Sequence, residues 1–92
     1  MNAVVRSVVI ANRRGLHARA SAKFVTLAAT QPCEVEVTKD GGDGGVTGTS
    51  IMGLMMLGAA MGDTIVISAS GDGAAVAVEA LAELVEAKFG EE

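Results

Sequence analysis

Residues 33 to 39, Cys-Glu-Val-Glu-Val-Thr-Lys, alternate between apolar and polar side chains. In an extended chain Cys33, Val35 and Val37 lie on one face, and the polar residues between them lie on the other. The pattern predicts a strand with one face in a core and the other face in water. It favours a sheet that helices cover on one side only.

Three further stretches predict strands around this one. They are the β-branched run at 4–10, a short weak strand at 46–49 after a glycine-rich turn at 40–45, and a second alternating run at 63–69 with Ile65 and Ile67 inward. Each of these predicted strands is short.

Three other stretches predict helices. The first runs from Ala18 to Thr30 before Pro32, the second follows Ser50 to about Leu57, and the third follows Asp72 and stops near Gly90. Apolar residues at helical spacing are expected to face the core at Phe24, Leu27 and Ala28 in the first helix and at Ala77, Leu81, Leu84 and Val85 in the last.

The predicted order is β-α-β-β-α-β-α in a chain of 92 residues, which has room for one domain spanning residues 1–92. Four short strands cannot bury both of their faces in so small a chain. We therefore expect an α+β open-faced sandwich, with a four-stranded antiparallel sheet and three helices on one face.

Composition argues against several classes of protein. A formal net charge of -4 and the lack of Trp and Tyr are unsuited to nucleic-acid binding, which needs phosphate neutralisation and base stacking. The single cysteine, Cys33, excludes an internal disulfide and is expected in the core. The N-terminal residues MNAVVRSVVI do not resemble a signal peptide, so we expect a cytoplasmic protein. Residues 44–62 are uncharged, but their strongly apolar part is too short for membrane insertion.

Basic residues gather in the part of the chain that contains the only histidine, His17. Residues 1–33 contain no acidic residue, and their basic residues are Arg6, Arg13, Arg14, Arg19 and Lys23. In an acidic protein this distribution is typical of an anion site or of a docking surface for an acidic partner. The alternative is a chance fluctuation of charge in a short chain.

His17 is expected at, or just before, the first residue of the first helix, after a tight turn that Gly15 permits. The free N–H groups at a helix N-terminus favour anions and disfavour protonation of an imidazole. A neutral imidazole can act as a nucleophile, and a captured phosphoryl group would lie on the backbone N–H groups of Ala18 and Arg19. The alternative is a surface histidine that only caps the helix.

Other chemistry at His17 has little support. A zinc site needs three or four protein ligands, which one histidine and one distant cysteine cannot supply. A Cys–His nucleophile pair would require Cys33 to leave the core. No GxGxxG or GxxxxGK[ST] motif is present, so we expect neither a cofactor nor a metal.

Residues 15–25, Gly-Leu-His-Ala-Arg-Ala-Ser-Ala-Lys-Phe-Val, resemble the active-site signature of the HPr family. These are the histidine-containing phosphocarriers of the bacterial phosphoenolpyruvate-dependent phosphotransferase system. Residues 49–54, Thr-Ser-Ile-Met-Gly-Leu, resemble the regulatory-serine segment of the same family. Most sugar-system members have Pro where this chain has Ala20, and in this respect the sequence is similar to nitrogen-type and related proteobacterial branches.

The resemblance implies a relay protein and not a turnover enzyme. Enzyme I would phosphorylate Nδ1 of His17, and an enzyme IIA domain would accept the group, in sugar uptake or in nitrogen regulation. Arg19 matches the family's active-site arginine. Ser50 matches a serine that a kinase/phosphorylase modifies in some lineages, although it is also a suitable helix cap. The protein would act as a monomer.

The helix after Ser50 is apolar nearly all round. Leu54, Leu57 and Met61 are expected in the core, which leaves the opposite side exposed unless a neighbouring loop covers it. Exposed flexible methionines suit a surface that fits several partners. The resemblance implies that this surface docks enzyme I and enzyme IIA, through Ile51, Met52, Gly53, Met55 and Met56.

Two other functions stay open on the sequence alone. A regulatory binding module of similar shape would leave His17 unmodified. A small enzyme that processes acyl phosphates or phosphate would turn over its substrate without a protein donor.

Overall fold

The computed structural model describes residues 3–42 and 44–91. Outside the described residues lie Met1, Asn2, Asp43 and Glu92, and Asp43 is part of the predicted glycine-rich turn. Its strands are β1 (Ala3–Val9), β2 (Val35–Lys39), β3 (Val46–Thr47) and β4 (Thr64–Ser70). Its helices are α1 (Ala18–Ala29), α2 (Ile51–Met56) and α3 (Ala74–Glu86), followed by a 3₁₀ turn at Lys88–Gly90. The predicted order of strands and helices is confirmed.

The four strands form one antiparallel sheet in the order β1-β4-β2-β3. Its inner face carries Val8, Val37 and Ile67, which are buried, whereas Val5 and Val9 on the outer face are exposed. Because side chains alternate along a strand, the sheet has one core face and one open face. The predicted α+β open-faced sandwich, with its helices on one face, is confirmed.

The core lies between this inner face and the helices. Phe24 of α1, Leu54 of α2 and Leu81 of α3 are fully buried there. Leu27 and Leu84, at the edges of their predicted stripes, are partly buried against the same core. The sheet contributes Val, Ile and Ala side chains to this core, and in a close-packed interior the loss of even one methyl group would be felt.

Two sequence predictions about the core are wrong. Met61 is 57% exposed. It follows the end of α2 at Met56 and the left-handed Gly58, so helical spacing does not apply to it. Cys33 precedes β2 and is only partly buried against the core.

Two predictions about the last helix are also wrong. The residue before α3 is Gly73, whose φ is 82° and which offers no side-chain cap, so Asp72 does not cap the helix. A Cβ atom at this glycine would lie 2.3 Å from Cγ of Pro32, so a residue with a side chain would clash there. At the other end α3 stops at Glu86, before the predicted stop at Gly90.

None of the helices within residues 3–42 and 44–91 combines the length and the apolar character needed to span a bilayer.

Candidate functional site

The loop before α1 is held in place by close backbone contacts. Gly15 has a φ of 64°, and a Cβ atom there would lie 2.4 Å from the carbonyl oxygen of Ala59. The N–H of Leu16 donates to that same oxygen at 3.1 Å. From the other side, Nδ2 of the buried Asn12 donates to the carbonyl of Gly15 at 2.9 Å. These contacts fix the backbone that leads into His17.

His17 is the N-cap residue of α1, as predicted. Its backbone is extended, with φ -72° and ψ 178°, and its carbonyl accepts the N–H of Ser21 at 2.9 Å. Its ring nitrogen Nδ1 accepts the backbone N–H of Arg19 at 3.2 Å. The side chain is 13% exposed. The lone pair that caps the helix is the one on Nδ1, so this capping bond must be released before Nδ1 can act as a nucleophile.

The second ring nitrogen of His17 contacts a carboxylate that the sequence did not indicate. Nε2 lies 2.6 Å from Oε2 of Glu91, and Oε1 of Glu91 accepts a hydrogen bond from Nδ2 of Asn12 at 3.1 Å. Because Nδ1 accepts an N–H, the proton of a neutral ring resides on Nε2 and is donated to Glu91. Burial raises the pKa of Glu91, but hydrogen bonds from His17 and Asn12 outweigh it and hold that pKa below its ordinary value.

Glu91 reaches the site through a reversal of the chain after α3. Lys88 and Phe89 have φ values of 59° and 55°, in the left-handed region that non-glycine residues seldom adopt, and Gly90 follows with 76°. The Phe89 side chain is fully buried, and its carbonyl accepts Nζ of Lys23 at 2.7 Å. Gly90 indicates a helix stop in the sequence, but nothing there predicts two left-handed residues before it, because they depend on contacts with α1.

The basic residues that the sequence groups around His17 have different roles in the structure. Arg6 lies on β1 and forms ion pairs with Glu79 at 2.6 Å and Glu86 at 2.8 Å, so it belongs to the contact between β1 and α3. Lys23 bonds the C-terminal turn. Arg13, Arg14 and Arg19 are exposed and form no ion pair within the described residues. They are the cations left to meet an anion near His17.

The N-terminus of α2 has the predicted cap. Oγ of Ser50 accepts the N–H of Gly53 at 3.0 Å. A Cβ atom on Gly53 would lie 2.9 Å from Cβ of Val46, so glycine allows α2 to lie close to β3. Met52 and Met56 are 70% and 80% exposed, and Ile51 and Met55 are exposed as well. The alternative that a loop covers this side of the helix is therefore wrong.

The described residues form neither a Cys–His pair nor a metal site. His17 precedes α1 and Cys33 follows it, and a helix of 12 residues separates its ends by about 18 Å. A Cys–His pair is therefore excluded. In the ranges 3–42 and 44–91, no group of three or more His, Cys, Asp or Glu side chains is placed to hold a metal ion.

An open-faced α+β sandwich whose only histidine caps the first helix is the arrangement expected of a small phosphocarrier protein. A family model described as the PTS HPr component phosphorylation site matches residues 4–87. The chain belongs to the HPr family of phosphocarrier proteins.

Relatives of two kinds match nearly the whole chain. Phosphocarrier protein HPr of Neisseria meningitidis serogroup B is 49% identical over 86 residues, which cover 94% of each chain. Phosphocarrier protein NPr of Shewanella violacea is 38% identical over 91 residues, covering 99% of this chain and 98% of its own. The crystal structure of HPr-C-His from Thermoanaerobacter tengcongensis superposes with a TM-score of 0.86 at 42% identity, covering 100% of this chain and 99% of that one.

Proposed function

We propose that this protein is a cytoplasmic, monomeric phosphocarrier that accepts a phosphoryl group on Nδ1 of His17 from enzyme I and delivers it to an enzyme IIA domain. Membership of the HPr family supports the reaction class. One observation carries the assignment to His17, namely that its Nδ1 lies 3.2 Å from the backbone nitrogen of Arg19 at the start of α1.

The geometry suits a group that arrives as an anion. Nδ1 bears no proton, so it can attack phosphorus without first losing one. As the bond to phosphorus forms, the N–H groups of Ala18 and Arg19 become donors for the phosphoryl oxygens, and the helix dipole favours the added charge. The exposed Arg19 guanidinium is near enough in sequence to add a charge-assisted bond.

Ala20 is compatible with this chemistry. It is the third residue of α1, and the first intrahelical bond is donated by the next residue, Ser21. Pro is tolerated at such a position because the N–H that it lacks has no intrahelical acceptor. The exchange between Pro and Ala therefore leaves the helix start, and with it the proposed transfer, intact.

The intact mass of the protein after incubation with enzyme I and phosphoenolpyruvate tests this proposal. We expect the mass of one phosphoryl group, in an adduct that is labile in acid and stable in alkali, as a phosphoramidate is. His17→Ala should gain no mass, and Ser50→Ala should be labelled like the parent. An unchanged parent mass, or labelling that persists in His17→Ala, would refute it.

That experiment and one further assay separate the two alternatives that the sequence left open. A binding module would show no modification under any condition. An enzyme acting on acyl phosphates would consume acetyl phosphate in the absence of enzyme I, and the relay should not.

The surface for both partners is proposed to be the exposed side of α2 together with the residues around His17. Its support is the exposure of four large apolar side chains on one short helix, which a domain of this size ordinarily buries. Together with the adjoining glycine, these side chains make up the proposed partner-binding residues, which are Ile51, Met52, Gly53, Met55 and Met56. Ser50 is proposed as a regulatory site for a serine kinase/phosphorylase, since it begins this same helix.

A further inference from the structure

We infer that Glu91 is a positioning residue for phosphoryl transfer, which holds the neutral ring of His17 with its proton on Nε2 and so keeps Nδ1 without a proton, as attack on phosphorus requires. The inference rests on the proposed function of His17. Glu91 lies beyond residues 4–87, which the family model matches.

The side chains form a continuous set of hydrogen bonds through the ring. Asn12 Nδ2 donates to Glu91 Oε1 at 3.1 Å, His17 Nε2 donates to Glu91 Oε2 at 2.6 Å, and Arg19 N–H donates to His17 Nδ1 at 3.2 Å. Both ring nitrogens are therefore constrained, one as a donor and the other as an acceptor. A carboxylate that orients an imidazole in this way selects its tautomer and stabilises the positive ring that forms during reaction.

The carboxylate is expected to matter most when the bond to phosphorus forms. The lone pair of Nδ1 forms the new N–P bond as the bond between phosphorus and the donor's leaving atom breaks, and that atom keeps the bonding electron pair. The ring retains its proton on Nε2 and becomes positively charged. The anion of Glu91 then lies 2.6 Å from that nitrogen and stabilises the charge.

The turn that carries Glu91 is built into the fold. Two successive non-glycine residues, Lys88 and Phe89, adopt left-handed conformations. Such residues persist only where their surroundings hold them, and they cluster at functional sites. Here the segment is held by the buried Phe89 ring, by the Lys23 bond to the Phe89 carbonyl and by the Asn12 bond to Glu91.

The tautomer can be measured directly, because His17 is the only histidine in the chain. In ¹⁵N-labelled, unphosphorylated protein at a pH where the ring is neutral, ring nitrogen shifts should show the proton on Nε2. Glu91→Ala should move the ring toward a mixture of both tautomers. Glu91→Gln keeps a carbonyl acceptor and should stay close to the parent in tautomer while losing the charge.

The rate of phosphorylation by enzyme I is the second measurement. Glu91→Ala and Glu91→Gln should both be slowed about threefold to tenfold, with melting temperatures near that of the parent. Glu83→Gln is the matched control, since it removes one exposed carboxylate from α3 and should react at the parental rate.

A parent ring protonated on Nδ1, an unchanged tautomer in Glu91→Ala, or a parental or faster rate in both Glu91 variants would overturn the inference. These outcomes are distinct from failure of the proposed function, in which the parent itself would gain no phosphoryl group. The tautomer measurement needs no phosphoryl donor and decides the positioning role by itself.

Discussion

The N-termini of α1 and α2 are built alike and surrounded differently. Each begins with a residue whose side chain accepts a backbone N–H, from Arg19 to His17 at 3.2 Å and from Gly53 to Ser50 at 3.0 Å. The third helix start, at Gly73, has no side-chain cap. Capping alone therefore does not distinguish a reaction site from a structural helix start.

The surroundings make the difference. The cap of α1 is an imidazole with a carboxylate on its far nitrogen and arginines in the neighbouring sequence. The cap of α2 is a hydroxyl beside exposed methionines, and no charged residue lies within 44–62. One start is suited to hold a phosphoryl group and the other to meet an apolar partner surface. The predictions below test this division.

The largest effect is expected at Gly15, in the loop before α1, which lies against the segment that follows α2. In Gly15→Ala the new Cβ would clash with the Ala59 carbonyl in a backbone that is already left-handed, so the free energy of unfolding should fall by about 2 kcal/mol or more. Gly58→Ala is the control, because its φ of 67° is similar but nothing lies within 4 Å of its Cβ position. Denaturant unfolding should show that Gly58→Ala lowers the free energy of unfolding by about 1 kcal/mol. Equal losses would mean that the close approach to Ala59 contributes nothing.

Arg19→Ala should affect transfer and leave the fold unchanged. Removing a guanidinium that stabilises the phosphoryl charge should slow transfer roughly tenfold or more, equivalent to about 1.4 kcal/mol of barrier. Because the Arg19 side chain is exposed, the melting temperature of the Arg19→Ala variant should stay near that of the parent. Arg19→Lys keeps the charge without the planar fork and should recover part of the rate. If Arg19→Ala transfers the group at the parental rate, Arg19 is only a solvated surface charge with no role in transfer.

Met52→Glu tests the apolar half of the comparison. A carboxylate placed in a docking surface must lose water on binding, so affinity for enzyme I should fall by roughly tenfold. Val76→Glu is a matched control, because Val76 is also 70% exposed but lies on α3. Calorimetric titration of both variants should show the loss only in Met52→Glu. Unfolding of Met52→Glu would instead indicate that its side chain belongs to the core.

Much of the fold could be predicted because its signals are local. Alternation along β2 and β4 marks their buried faces, and Ser50 marks the start of α2. The predicted exposure of Met52 follows from a surplus of apolar faces on one short helix. The assignment of Met61 to the core failed because it assumed that helical spacing continues past Gly58, where the backbone turns left-handed.

The part of the site that could not be predicted depends on contacts between distant parts of the chain. Glu91 lies 74 residues from His17 and reaches it only because Phe89 is buried and Lys23 bonds its carbonyl. In the sequence it is one acidic residue in an acidic half. Asn12 is equally unmarked, since a buried asparagine is recognised only by the acceptors around it.

The smallest effect is expected at Ser50, and it separates the structural from the regulatory role of the α2 cap. Asp and Asn both cap helices as well as Ser, so Ser50→Asp and Ser50→Asn should keep the parental melting temperature, whereas Ser50→Ala should lose about 1 kcal/mol. The anion of Asp at a helix N-terminus is favourable for the fold.

The partner is expected to respond to that charge. A protein that accepts the basic residues Arg13, Arg14 and Arg19 should present an acidic surface, so an anion beside the methionines would be repelled and would need to be desolvated. Ser50→Asp should receive phosphate from enzyme I about threefold more slowly, and Ser50→Asn at the parental rate, since a single exposed charge shifts association by a modest factor. The melting temperature and the transfer rate are to be measured on the same samples. Equal rates for the two variants would remove the switch, and a fall of both quantities in Ser50→Asp would assign Ser50 to the fold alone. A slow Ser50→Asp on an intact fold would extend the comparison, because negative charge that the start of α1 is proposed to accept would then oppose partner binding at the start of α2.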